Sequence, residues 1–176
     1  GMHTAIRFLK EGWDVVGLDN MNDYYSVALK HDRLAEVANS ANNLDRSFKM
    51  LEADLNSEIW EKLENIDFEA VIHLAAQAGV RYSIENPRVY LESNILGFQS
   101  VLEFVSKKGI ERFLYASSSS VYGKNSTQPF SEKAPCNSPE SYYASTKRAN
   151  ELMAKSYFKT EGLSSIGLRF FTVYGP

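Results

Sequence analysis

The chain has 176 residues, 44% of them hydrophobic and 23% charged, with 19 basic against 22 acidic side chains for a net charge of −3. That length buries one sizeable core without metal or disulfide staples, and the even charge balance argues against nucleic acid or an anionic membrane surface as partner. No apolar run approaches the roughly 18 residues of a membrane-crossing helix, the first residues form no secretory leader, and Cys136 has no intrachain partner, so a cytoplasmic setting is expected.

In chain order, Ala5, Ile6, Leu9 and Trp13 have helical spacing, and Gly12 after Lys10-Glu11 stops that helix. Residues 13–19 read as a strand ending in Asp19. A second helix is predicted over 26–41 from Ala28, Leu29, Leu34, Val37 and Ala38. Residues 48–53 alternate as a strand that ends at Asp54, and Ser57 is the expected N-cap of a short helix reaching Leu63. The nearly continuous apolar run 70–75 suits a parallel strand buried on both faces. A long helix over about 87–108 stops at Gly109 and leads into a strand over 112–117. A polar loop spans 118–138. A helix over about 139–161 is stopped at Gly162, and 165–169 form the last strand.

Strands separated by helices imply right-handed crossovers and a doubly wound, Rossmann-type α/β fold with a parallel sheet. In that fold the first strand is central, in the order 3-2-1-4-5-6, and a glycine-rich turn after it cradles a pyrophosphate. This sequence opens on a helix instead. It is therefore expected to lack the first strand and most of the cradle, with Gly1 at the place of the turn's third glycine. The bland alternative makes Gly1-Met2 an expression remnant. Residues 1–176 read as one dinucleotide-binding domain of a longer protein, without its C-terminal substrate domain. The strands flanking the missing one would face a gap, so the isolated chain is expected to be unstable or to self-associate.

Asp19, an acid at a strand's carboxyl end, would accept hydrogen bonds from an adenosine ribose and repel a 2′-phosphate, favouring NAD over NADP. Asp54 could reach the adenine edge, although acids at such positions are also common helix lead-ins, just as Asp19 could be an ordinary strand-end aspartate in a turn. The small residues in His73-Leu74-Ala75-Ala76-Gln77-Ala78-Gly79 let a flat cofactor approach the backbone, although tight helix–sheet packing selects the same residues. His73 reads as a core histidine. The three histidines, at 3, 31 and 73, lack ligand spacing, so no metal site is expected. The strongest signal is Tyr143-Ala144-Ser145-Thr146-Lys147: spacing i, i+4 puts phenol and ammonium on one helix face, and the cation favours phenolate, as a general base requires. Upstream, Ala116-Ser117-Ser118-Ser119-Ser120-Val121-Tyr122-Gly123 carries hydroxyls from a strand's carboxyl end into the crevice where such sheets bind ligands.

Together with Val16-Gly17-Leu18-Asp19-Asn20, Asn22-Asp23-Tyr24-Tyr25, Val80-Arg81-Tyr82-Ser83, Ser93-Asn94 and Leu168-Arg169-Phe170-Phe171-Thr172-Val173-Tyr174-Gly175-Pro176, these stretches cover the chain in order. The sequence resembles the extended short-chain dehydrogenase/reductase family and, within it, the nucleotide-sugar 4-epimerases, most of all the UDP-glucuronate type. The resemblance implies NAD as cofactor and a UDP-sugar as substrate, epimerised through a transient 4-keto sugar. It makes Tyr143 the base on the sugar 4-hydroxyl and Lys147 its partner on the nicotinamide ribose. Ser118, with Ser120 as competitor, bridges substrate and tyrosine. Asp19 and Asn20 meet the adenosine ribose, and Asp54 and Leu55 the adenine. Leu74, Ala75, Ala76, Gln77, Asn94 and Ser117 line the dinucleotide, with Phe171 near the nicotinamide. Thr172 and Arg81 face the sugar, Arg81 as a carboxylate sensor. No acid lies in Ser118-Ser119-Ser120-Val121 where related dehydratases and decarboxylases carry one, which favours simple epimerisation. A UDP-glucose 4-epimerase, or a truncated chain that binds nucleotide without turnover, are the alternatives. The resemblance also implies a homodimer, formed through a four-helix interface of the two long helices.

Overall fold

The structure is a computed structural model that describes residues 1–124 and 128–175. It divides into two compact units, Gly1–Ser57 and Glu58–Pro176. Each is α/β, and every strand pairing in it is parallel.

In the first unit, helix α1 (Met2–Lys10) packs on helix α2 (Val27–Asn43). Beneath them strand β1 (Val15–Asp19) pairs with β2 (Phe48–Glu52), register Val15 to Phe48 and Asp19 to Glu52. The core is a cluster of Leu9, Val37 and Ala41, flanked by Met2, Ala5, Ile6, Val15 and Phe48. Of the apolar positions predicted for α2, Val37 is buried, but Leu29 lies on the exposed side and Ala41 takes the inner position. Ser26 caps α2, its Oγ accepting from the Leu29 N–H at 3.3 Å.

In the second unit the sheet order is β3-β4-β5, with β3 at Ala70–His73, β4 at Arg112–Ser118 and β5 at Ser165–Phe170. The two sheets reproduce the halves 3-2 and 4-5-6 of the expected strand order, each with its own crossover helices. Three expectations need correction. Ser57 does not cap helix α3 (Ile59–Leu63). Glu58 occupies the N-cap, and the Ser57 hydroxyl donates to the Asp54 carbonyl at 2.6 Å. Strand β3 stops at His73 and is only half-buried over Ala70–Ile72, because it pairs on one side alone, with β4. The long helix is a succession of α4 (Tyr82–Glu85), α5 (Pro87–Tyr90), a π-helical stretch Leu91–Leu96 and α6 (Gly97–Lys107).

A single 3-10 turn (Ser119–Tyr122) follows β4 directly. It ends at Gly123, at φ +67°, where a Cβ would collide with the Ser138 carbonyl, so only glycine fits. Helix α7 (Tyr142–Glu161) starts where the Ser141 hydroxyl accepts from the Ala144 N–H at 3.0 Å and ends at left-handed Gly162. Phe98, Phe113 and Tyr115 form the aromatic centre of this unit's core. Tyr115 lies over β5 at Gly167, where a Cβ would sit 2.5 Å from its hydroxyl.

Candidate active site

The first unit brings its candidate residues Asp19, Asn20 and Asp54 to where its two strands end. The Asp19 carboxylate, at the last residue of β1, accepts from the Met21 N–H at 2.8 Å and from the Lys30 ammonium at 3.3 Å. Both contacts fall on Oδ1, and the side chain as a whole is about half exposed. Asn20 donates to Asp54 Oδ2 at 3.1 Å, joining the loops after β1 and β2. Leu55 follows, half-buried, and Gly1 sits exposed at the N-cap of α1. Asp19, Asn20 and Asp54 are thus brought together at one edge.

The second unit holds the remaining candidates. Tyr143 and Lys147 lie one turn apart on α7, as their spacing predicts. The Lys147 side chain is buried, and its ammonium donates to the Ala116 carbonyl of β4 at 2.9 Å. Burial pushes its pKa down to about 8. Its charge also acts on His73, which is buried against Phe98; burial first, then Lys147, pushes that imidazole down to about 3 and keeps it neutral. Tyr143 is half-buried, its ring edge-on to Tyr90 with centroids 6.1 Å apart. Its backbone N–H donates to Ser83 Oγ at 3.3 Å.

Ser117 and Ser118 close β4, and Ser119 and Ser120 open the 3-10 turn that follows it. Ser118 Oγ caps the 3-10 turn, accepting from the Ser120 N–H at 3.2 Å, and lies 2.9 Å from Ser120 Oγ. The two serines are therefore a coupled pair. With the Ser120 hydroxyl donating to it, Ser118 keeps its own proton to give away. Ser117 turns inward instead and donates to Glu151 Oε1 at 2.7 Å.

Asn94 stands behind this surface, 1% exposed on the π-helical stretch. Its Oδ1 accepts from the Gln77 N–H at 2.7 Å, its Nδ2 donates to the Gln77 carbonyl and to Thr146 Oγ1 at 3.0 Å each, and its own carbonyl accepts from Asn150 at 2.6 Å. Both amide hydrogens are donated within the protein, and the side chain fastens the β3 exit to α7. A π turn adds one residue to the helical register, and such turns are frequent at functional sites. Tyr90 steadies the same loop, its hydroxyl 2.6 and 2.5 Å from the Ala78 and Gly79 carbonyls. Leu74, Ala75 and Ala76 line this exit. Phe171 and Thr172 follow β5, exposed, with Phe171 against Tyr122 and Phe130. Arg81 is exposed at the start of α4.

Sequence reasoning missed Glu151. It continues the four-residue ladder Tyr143, Lys147, Glu151 along α7, a signal present in the spacing. It also missed Thr146 and Asn150, whose partners lie 52 and 56 residues away in sequence. Among the described residues no group of three or more His, Cys, Asp or Glu side chains is placed to hold a metal ion, and no helix is long and apolar enough to cross a membrane.

A tyrosine and a buried lysine on one helix face, the lysine bonded to a parallel strand whose carboxyl end carries hydroxyls, can remove a proton from an alcohol and stabilise the charge that results. The model of the NAD-dependent epimerase/dehydratase family matches residues 1–176. The chain belongs to that family. It is 47% identical over 176 residues to Protein CapI of Staphylococcus aureus, covering all of this chain and 52% of that protein. It is 47% identical over 179 residues to UDP-glucuronate 4-epimerase 4 of Arabidopsis thaliana, covering all of this chain and 40% of that protein. Among solved structures, the Bacillus cereus UDP-glucuronic acid 4-epimerase in complex with UDP-glucuronic acid and NAD matches with TM-score 0.82 at 31% identity, over 100% of this chain and 54% of that one. The Brucella ovis UDP-glucose 4-epimerase in complex with NAD matches with TM-score 0.80 at 29% identity, over 97% of this chain and 48% of that one. The chain thus spans about half the length of the relatives it matches, and it has their Rossmann-like fold.

Proposed function

We propose that the intact protein is an NAD-dependent 4-epimerase that interconverts UDP-glucuronate and UDP-galacturonate, with residues 1–176 as its NAD-binding domain. The observation that carries this reading is the buried Lys147 ammonium, one helical turn from Tyr143 and held by the Ala116 carbonyl of β4, the strand that ends at Ser118. The relatives named UDP-glucuronate 4-epimerases support the uronate as substrate.

The residues present fit NAD. Asp19 is a half-exposed carboxylate at a strand's carboxyl end, suited to the adenosine ribose hydroxyls and hostile to a 2′-phosphate. Asn20, Asp54 and Leu55 would border the adenine. Leu74, Ala75, Ala76, Gln77 and Ser117 offer the small or inward-turned side chains a flat dinucleotide needs, Asn94 fixes their loop, and Phe171 would flank the nicotinamide. Gly1 would stand near the pyrophosphate. When bound, NAD supplies the acceptor that takes the sugar's C4 hydrogen and returns it to the other face, with no net redox change.

The chain's own residues do the proton work. Tyr143 takes the 4-hydroxyl proton and later gives it back. Lys147 favours the phenolate by its charge, which counts for more in a water-poor site than in solvent, and it binds the nicotinamide ribose. Ser118 donates to the sugar oxygen, because Ser120 fills its acceptor side. Thr172 and Arg81 contact the sugar, with Arg81 pairing to the uronate carboxylate. Leu91 and Leu96 before α6, and Leu152 and Phe158 on α7, are apolar and exposed, which supports a homodimer through these helices.

The test is turnover of UDP-glucuronate and UDP-glucose by the intact protein and by its Arg81→Ala variant. The uronate reading expects UDP-glucuronate to be the better substrate and to lose about tenfold or more in kcat/KM on loss of the charge, with UDP-glucose little affected. Equal effects on both sugars would sink the uronate assignment and favour a neutral-hexose epimerase.

A further inference from the structure

Beyond the tyrosine and lysine, the densest polar cluster of the second unit is centred on Glu151. Its Oε1 accepts from Ser117 Oγ at 2.7 Å and from Arg169 Nε at 2.8 Å. Its Oε2 accepts from a second Arg169 nitrogen at 3.0 Å and from Arg148 at 2.7 Å. The Arg169 grip is two-pronged, the geometry in which a guanidinium fixes a carboxylate in orientation as well as distance. Both arginines reach onward. Arg148 donates to the Pro135 carbonyl at 3.0 Å, and Arg169 to the Glu132 carbonyl at 3.4 Å. The Arg169 guanidinium also stands 4.8 Å from the centroid of the Tyr122 ring. One carboxylate thereby ties α7 to the ends of β4 and β5, and through its arginines to the 3-10 turn and the loop at 132–135.

The placement gives this knot a role beyond cohesion. Glu151 is on the same face of α7 as Tyr143 and Lys147, at successive four-residue steps. Ser117 immediately precedes Ser118. Arg169 is two residues before Phe171 and three before Thr172. The side chains of Glu151 and Arg169 are 11% and 15% exposed, so the pair is shielded from competing water. Burial alone would raise the Glu151 pKa, but the hydrogen bonds from Arg169, Ser117 and Arg148 outweigh it and hold the carboxyl ionised.

We propose that Glu151 is a positioning residue that sets the catalytic serine and the strand end bearing Phe171 and Thr172 in register with the tyrosine–lysine helix. The role rests on the function proposed above. Loss of the carboxylate lets Ser118 and the post-β5 segment drift relative to Tyr143, which lowers turnover while leaving the binding surfaces in place.

Glu151→Gln in the intact protein tests this, alongside Arg169→Lys and the double variant. A displacement of about an ångström at the reacting groups costs on the order of 10²-fold. The expected result is a fall of that order in kcat, with KM for the sugar and NAD affinity within roughly threefold of the parent. Arg169→Lys, which keeps the charge but gives up the fork, falls similarly, and the double variant is no worse than either single one. Amide exchange accelerates at 117–120 and 169–172 and is unchanged in β1 and β2. A Glu151→Gln enzyme with parental kcat, or losses that multiply in the double variant, would overturn the proposal. If the parent turns over no UDP-sugar, the proposed function falls by itself and exchange alone decides: parental protection at both segments in Glu151→Gln contradicts the positioning role. Should Glu151→Gln not fold, Arg169→Lys carries both readouts.

Discussion

The two units handle their polar residues in opposite ways. In the first, Asp19, Asn20 and Asp54 lie at the strand ends, and their hydrogen bonds are at the surface or only partly below it. In the second, Gln77, Ser83, Asn94, Ser117, Thr146, Lys147 and Asn150 are all buried. Among the described residues no buried side-chain nitrogen or oxygen lacks a partner. A surface acceptor can bind a ligand and be lost at little cost to folding. A buried, fully satisfied network is rigid and expensive to break, and rigidity is what proton transfer between fixed groups requires. The contrast suits the proposed division, with cofactor recognition in the first unit and proton chemistry in the second.

The largest expected effect is on the chemistry. Tyr143→Phe should lower kcat by about 10³-fold, the usual worth of a positioned base, with NAD affinity unchanged. A variant with substantial turnover would move the base elsewhere. Next comes the network itself. Asn94→Leu strands the Gln77 N–H and carbonyl in the interior and should cost about 3 kcal/mol in denaturant unfolding. A loss within the range of ordinary surface substitutions would show the network to be looser than its geometry.

A smaller effect, with a diagnostic pH dependence, attends Lys147→Met. Below about pH 8 the folded protein carries the full cost of a buried ammonium. Between that value and the unfolded pKa of 10.5 the folded chain has lost the proton while the unfolded chain holds it, so parental stability rises with pH. The variant has no such slope. The stability difference, variant minus parent, should therefore shrink as pH rises from 7 to 10. A difference independent of pH would mean that Lys147 is not desolvated as its burial implies.

The smallest effect belongs to the first unit. Asp19→Ala should weaken NAD binding by about tenfold in calorimetry, the worth of hydrogen bonds to a charged acceptor, and change stability by no more than about 0.5 kcal/mol. Equal stability losses from Asp19→Ala and Asn94→Leu would erase the distinction between the units.

Much of this was legible before any coordinates. Alternating strand and helix signals carried the parallel fold, since apolar runs such as 70–75 and stops such as Gly162 are local facts. Tyr143 and Lys147 were legible because a helix converts their spacing into proximity. The parts that were not legible depend on partners remote in sequence. Asn94 reads as an ordinary helix residue until the π turn carries it inward to Gln77, Thr146 and Asn150. Glu151 looks like a solvated helix charge until β4 and β5 bring Ser117 and Arg169 to it. The β3 strand looked doubly buried from its composition, but burial follows pairing, and in its sheet it pairs only with β4.

The proposed function requires that the hydrogen removed from C4 of the nucleotide uronate be the one returned to it, while Tyr143 handles only the 4-hydroxyl proton. The most direct measurement incubates the intact protein and NAD with UDP-glucuronate deuterated at C4 and follows the product by NMR. The account predicts UDP-galacturonate with the deuterium retained at C4. Absence of interconversion, or product whose C4 label has exchanged with solvent, would contradict it.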